Sequence, residues 1–225
     1  MKDKVEVFIF RHGETDWNRE GRFQGHTDIP LNSNGIQQAH LLALEIQKLK
    51  PEIMITSDLS RAKQTAQIVN ASLALPLFES TMLRECRLGE PEGLLRSEIN
   101  QKYGPLAWSR WLSTEEKDQD FAFPGGESKR EHLIRQRSYL ENFLLQNQSW
   151  PQYGFPHHPS KVAVSTHGGS LRRLVHHCQG APTKPIPIPN CALYKIYFDM
   201  TERLWIYGEA LYLSSSPEEQ RKGVF

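Results

Sequence analysis

Val5-Glu6-Val7-Phe8-Ile9-Phe10-Arg11-His12-Gly13-Glu14-Thr15 is an apolar run that passes directly into an Arg-His-Gly turn. It reads as a strand delivering an arginine and a histidine to its carboxyl end. In open α/β sheets ligands sit outside the carboxyl ends of strands, and a glycine there lets the backbone turn sharply or approach a ligand.

Working outward, Asn18 to Pro30 is polar and contains Gly21 and Gly25, so it reads as a loop over the sheet. Ile36, Ala39, Ala43, Ile46 and Leu49 recur at helical steps from Ser33, with Asn32 or Ser33 as cap and Pro51 beyond the end. Ile53 to Thr56 is a short strand, and Asp58 or Ser60 caps a helix through Ala66, Ile68 and Val69. Pro76 to Phe78 suggests a further strand, and short helices are expected on either side of Pro105. Ser128 caps a long helix with a stripe of Leu133, Arg137, Leu140 and Leu144. Lys161 to Thr166 and His167-Gly168-Gly169, with a helix from Ser170, repeat the opening arrangement, and Ala192 to Phe198 and Leu204 to Tyr207 are late strands. Strands alternating with helices argue an α/β fold with a mainly parallel sheet covered on both faces. We expect one domain over residues 1–213, followed by a polar tail over 214–225.

Composition narrows the function. The chain has 225 residues, 38% of them hydrophobic and 24% charged, as in a globular protein, and no apolar stretch approaches the roughly 20 residues that cross a bilayer. The charged start Met1-Lys2-Asp3-Lys4 runs straight into the strand, so a cytoplasmic protein is expected. With 27 basic against 26 acidic residues, bulk electrostatic binding to nucleic acid or to an anionic membrane has no support. Cys86, Cys178 and Cys191 are odd in number and lack metal spacing, so reduced thiols are expected and no metal site.

The chemistry lies at the strand ends. A parallel sheet brings Arg11-His12-Gly13 and His167-Gly168-Gly169 to the same end, with Arg61 at the start of a helix and Glu85 after a further extended segment. Guanidinium groups match a phosphoryl group bidentately, and the amino end of the helix after Gly169 offers it N–H groups and a positive dipole. Beside two arginines His12 stays neutral and presents a nitrogen lone pair as nucleophile. Glu85, beside a bound dianion, is suited to protonating a leaving alkoxide and then taking a proton from water.

These residues resemble the histidine phosphatase superfamily, the phosphoglycerate mutase-like proteins. The resemblance rests on Arg11 to Asn18, Gly21 to Gly25, Thr56 to Ala66, Leu83-Arg84-Glu85, Pro124 to Ser128, and Ser165 to Gly169. It implies a three-layer α/β/α sandwich, His12 as the phosphorylated nucleophile, Arg11, Arg61 and His167 as phosphate clamps, and Glu85 as proton donor. By the same carry-over Asn18, Gln24, Gly25 and Gly168 contact the phosphoryl group, with no metal or cofactor, and the partner is a small phosphorylated substrate.

Within that family the chain resembles the phosphatases more than the glycolytic mutases. His167-Gly168 is followed by Gly169 where mutases usually have asparagine, and Leu88 stands where they carry a tyrosine. Arg96 and Arg110 fall where mutases bind substrate, so a mutase is the alternative, followed by an inactive phospho-ligand-binding protein. Gly89-Glu90-Pro91-Glu92-Gly93 resembles a segment of many phosphatases with proline in place of an aromatic. Residues 90–123, long and irregular between the motif blocks, are expected to cap the site and set specificity.

Overall fold

The computed structural model describes residues 4–145, 150 and 158–213. The expected tail and most of the 146–160 connection lie outside them. The elements run β1 (Lys4–Arg11), α1 (Asp16–Glu20), α2 (Ser33–Leu49), β2 (Ile53–Ser57), α3 (Ser60–Asn70) and β3 (Leu77–Ser80). Then follow α4 (Ile99–Tyr103), α5 (Ala107–Leu112), α6 (Lys129–Leu145), β4 (Lys161–Thr166), α7 (Gly168–His177), β5 (Leu193–Asp199) and β6 (Leu204–Tyr212). The strands form one six-stranded sheet in the order β3-β2-β4-β1-β5-β6. β1 to β4 are mutually parallel, while β5 pairs antiparallel with β1 and with β6.

Alternation along the strands builds the three layers. Successive side chains point to opposite faces. Val5, Val7 and Ile9 of β1 therefore join Ile53, Ile55, Val162 and Val164 in a core with Leu140, Leu144, Leu171 and Leu174 of α6 and α7. Phe8 and Phe10 join Met54, Ala163 and the buried faces of α2 and α3 on the other side. A third cluster of Cys86, Leu88, Ile99, Ala107 and Phe123 packs the 90–123 segment over the carboxyl ends of the strands, with Phe23 and Trp108 against it.

Local expectations differ from the structure where packing decides rotation. The buried line of α2 is Gly35, Ala39, Leu42 and Ile46, and Ile36 is exposed. The cause is Gly35: a Cβ there would lie 2.1 Å from the Glu14 carbonyl oxygen, and one on Gly13 would lie 2.4 Å from that of Gly35. Only two glycines let the helix start touch the turn after His12. Asn32 caps α2 by accepting from the Gly35 N–H. α3 has no cap from Asp58 or Ser60: Asp28 accepts from the Ser60 N–H and hydroxyl, and Asp58 instead pairs with Arg84. In α6, capped by Ser128 with Glu131, the buried line is His132, Gln136, Leu140 and Leu144 rather than Leu133 and Arg137.

Candidate active site

Because β4 lies between β1 and β2, the carboxyl ends of these three strands meet, and each ends on a polar group. β1 supplies Arg11 and His12, β4 leads into His167, and β2 leads through Ser57 to Arg61 on the first turn of α3. The His12 backbone is held from both sides: its N–H donates to the Thr166 carbonyl and its carbonyl accepts from Cys191 N–H and Asn190 Nδ2.

His12 is 2% exposed. Its Nδ1 lies 2.7 Å from the Gly13 carbonyl oxygen, which only accepts, so Nδ1 carries the proton and Nε2 keeps its lone pair. Burial first, then the charges of Arg61 and Arg11, hold its pKa well below 6.5. The His167 ring stands edge-on to it with centroids 5.3 Å apart. His167 Nε2 meets the Ser57 hydroxyl at 2.9 Å, and burial, then Arg61, keeps that ring neutral too.

The two arginines are anchored by their outer nitrogens. Arg61 is fully buried, donates from Nη1 to the Thr27 carbonyl (2.9 Å) and from Nη2 to the Gly25 carbonyl (2.8 Å). Arg11 donates from Nη1 to the Ile188 carbonyl at 2.6 Å, with Gly168 packed against its Nε. Burial lowers both pKa values to about 10. Arg11 Nε and Arg61 Nε are buried donors, and His167 Nδ1 a buried ring nitrogen, without a hydrogen-bond partner among the described residues. Such donors are rare unless a ligand takes them.

Glu85 closes the site. Its Oε1 accepts from Cys86 N–H and its Oε2 from Gly169 N–H, both at 2.8 Å. The Gly169 N–H, expected to face the phosphate, is thus spent on Glu85, and α7 begins at Gly168 rather than at Ser170. The Glu85 backbone carbonyl accepts from His26 Nε2 and Arg135 Nη2, and Arg135 pairs with Glu127 at 2.5 Å.

Asn18 and Gln24 owe their orientation to Thr15, which sequence reasoning left without a role. The buried Thr15 hydroxyl donates to Gln24 Oε1 (3.0 Å), and Asn18 Oδ1 accepts from the Thr15 N–H and from Asn190 Nδ2, each at 3.2 Å. Both amide oxygens are occupied by protein, so their NH2 ends are the ones turned to a ligand. Glu92 explains the phosphatase-like segment around Pro91: its carboxylate accepts from the N–H groups of His26, Thr27 and Leu88, tying the 24–28 loop down.

One cavity of about 520 Å3 is lined by Arg11, His12, Asn18, Gln24, Gly25, Arg61, Glu85 and Gly168, while His167, fully buried against the His12 ring, does not line it. Arg96 also lines it, as do Arg172 and Arg173 of α7, which had no motif to mark them, and Trp108 and Trp111. Arg110 does not. It pairs with Asp118 at 3.2 Å and lies over the Phe121 ring, on the far side of α5. The cavity far exceeds a phosphoryl group and leaves space for the rest of an ester.

Comparison with known proteins bears on this arrangement. The sequence profile of the histidine phosphatase superfamily (branch 1) matches residues 7–205. A probable phosphoglycerate mutase, GpmB of Serratia proteamaculans, is 30% identical over 205 residues, covering 90% of this chain and 88% of its own. An uncharacterized phosphatase, PhoE of Bacillus subtilis, is 32% identical over 174 residues, 77% of each chain. Among solved structures, Bacillus stearothermophilus YhfR superposes with a TM-score of 0.73 at 25% identity, over 93% of this chain and 98% of its own. A mycobacterial glucosyl-3-phosphoglycerate phosphatase gives 0.74 at 24% identity, over 93% and 100%, and shares the fold. With the profile spanning most of the chain and both strand-end motifs, the chain belongs to the histidine phosphatase superfamily, branch 1.

Proposed function

We propose that this chain is a phosphatase that hydrolyses a small or medium phosphomonoester through a phosphohistidine on His12, without a metal. The observation that carries the reading is the pair of buried donors Arg11 Nε and Arg61 Nε, with the buried His167 Nδ1, that have no hydrogen-bond partner among the described residues around a neutral histidine with a free Nε2. Donors already in place where charge develops stabilise a transition state without reorganisation.

Nε2 of His12 attacks phosphorus, the P–O bond to the leaving group breaks, and the leaving oxygen takes the proton of the Glu85 carboxyl. The resulting carboxylate takes a proton from water. The hydroxide displaces His12 from phosphorus, the P–N bond breaks and phosphate departs with Glu85 protonated again. Each Glu85 oxygen accepts one backbone N–H and keeps a further lone-pair site for that proton.

The test is a screen of phosphorylated metabolites, phosphopeptides and p-nitrophenyl phosphate without added metal, with acid quenching. We expect phosphate release and acid-labile phosphate on the protein, both absent in His12→Ala. Ordinary turnover by His12→Ala overturns the mechanism. Interconversion of 2- and 3-phosphoglycerate in place of phosphate release makes the chain a mutase.

A further inference from the structure

His12 lines the cavity and His167 packs against its ring, while a further buried histidine, His132 on α6, lies 3.9 Å from Glu85. His132 is fully buried among polar groups, an expensive arrangement for a helix that has apolar residues at the same face further on. Its Nδ1 lies 3.1 Å from Arg173 Nη1. A guanidinium only donates, so Nδ1 is the acceptor and the ring proton sits on Nε2. That nitrogen is 3.0 Å from the Ser170 hydroxyl, 3.2 Å from Gln136 Nε2 and 3.9 Å from Glu85 Oε1; with the ring proton on Nε2 the Gln136 amide turns over to present Oε1, which otherwise has no hydrogen-bond partner among the described residues.

Arg173 reaches the same place from the cavity wall, with its guanidinium over the Trp111 ring at 4.8 Å. A Cβ on Gly169 would lie 2.6 Å from Glu85 Oε1 and 2.7 Å from Arg173 Nη1. The carboxyl and the guanidinium therefore share the space over a glycine, and His132 lies within reach of both. Burial, then the charges of Arg173 and Arg135, keep the ring neutral, so it acts as a hydrogen-bond donor and not as a counter-ion.

We propose that His132, oriented by Arg173, is a positioning residue for Glu85. Its Nε2–H closes onto Oε1 as the carboxyl gives its proton to the leaving oxygen, steadying the carboxylate until it takes a proton from water. His132 itself neither gains nor loses a proton. Catalytic hydrogen bonds that are long in the free enzyme tighten in the reacting complex. The inference rests on the phosphohistidine reading with Glu85 as the acid.

The test uses leaving groups that need the acid to different degrees. p-Nitrophenolate departs without protonation, whereas an alkoxide does not. In His132→Leu we expect kcat/KM, which covers the steps up to departure of the leaving group, to fall about tenfold or more for glycerol phosphate or another alkyl ester and to stay within about threefold for p-nitrophenyl phosphate. His132→Gln, whose amide N–H reaches the Nε2 position, restores most of the alkyl-ester rate. His132→Asn occupies the Nδ1 position, keeps an acceptor for Arg173 and shows the selective loss, which also covers a Leu variant that fails to fold. Equal losses on both substrates, no loss, or identical behaviour of the Gln and Asn variants overturns the proposal. Glu85→Gln and His12→Ala run alongside: if His12→Ala is active, or Glu85→Gln lowers kcat/KM for both esters alike, the underlying mechanism fails. If those two behave as expected and His132→Leu shows no selectivity, only the role of His132 fails.

Discussion

Arg61 does two things with one guanidinium. Its two Nη groups hold the carbonyls of Gly25 and Thr27, and Nε remains for a ligand. His167, by contrast, spends Nε2 on one hydroxyl and holds no loop. In the proposed reaction Arg61→Ala and His167→Ala each lose roughly a hundredfold or more in kcat/KM, as expected for one transition-state donor. They should separate in stability. Arg61→Ala also strips two carbonyls of their donor, costing on the order of 1–3 kcal/mol beyond the effect of His167→Ala. Denaturant unfolding of the two variants measures the gap, and equal midpoints would contradict the anchoring role.

At the scale of elements, the site depends on how helices begin. The residue before α3, Leu59, caps nothing with its side chain, and the cap comes from Asp28 on the loop after the first motif. One carboxylate thus ties the helix carrying Arg61 to the loop carrying Gln24 and Gly25. Asp28→Ala is expected to cost about 1 kcal/mol, in line with loss of a capping residue. It should also raise KM more than it lowers kcat, because the chemistry at His12 is untouched while the cradle loosens. Urea titration with steady-state kinetics reads both, and an unchanged KM argues against the coupling.

Across the whole molecule, His12, His132 and His167 are buried and neutral, each with a pKa well below 6.5. In the unfolded chain they titrate near their ordinary value of about 6.5. A group whose folded pKa is depressed favours its neutral form in the fold. Its contribution is therefore complete above about pH 6.5 and lost as the pH falls toward the lowered folded value. The limit is about 1.4 kcal/mol per pH unit for each histidine. We expect stability to be flat above about pH 7 and to fall steeply toward about pH 5, less steeply in His12→Ala. Unfolding midpoints across that range that do not change would show these rings are protonated in the fold.

How much of this was legible in the sequence follows from how local each pattern is. The strand from Val5, the helix after Asn32 and the two strand-end motifs are encoded in neighbouring residues, so alternation, periodicity and a glycine turn sufficed to place them. Arg11, His12, Arg61, Glu85 and His167 were marked by their position after those elements. Side-chain orientation was not. α2 is turned by the contact between Gly13 and Gly35, residues in separate elements. His132 and Gln136 continue, in steps of four, the line of Leu140 and Leu144, a signal hidden because polar residues there read as a solvated face. Arg110, matched by motif, is drawn to Asp118 and Phe121, while Arg173, with no motif, reaches the cavity. The sequence alone determined which elements form and which residues stand at their ends, because those depend on short-range hydrogen bonding and sterics. Tertiary structure decided which side chains meet, because strand order and helix rotation are set by packing between segments far apart in the chain.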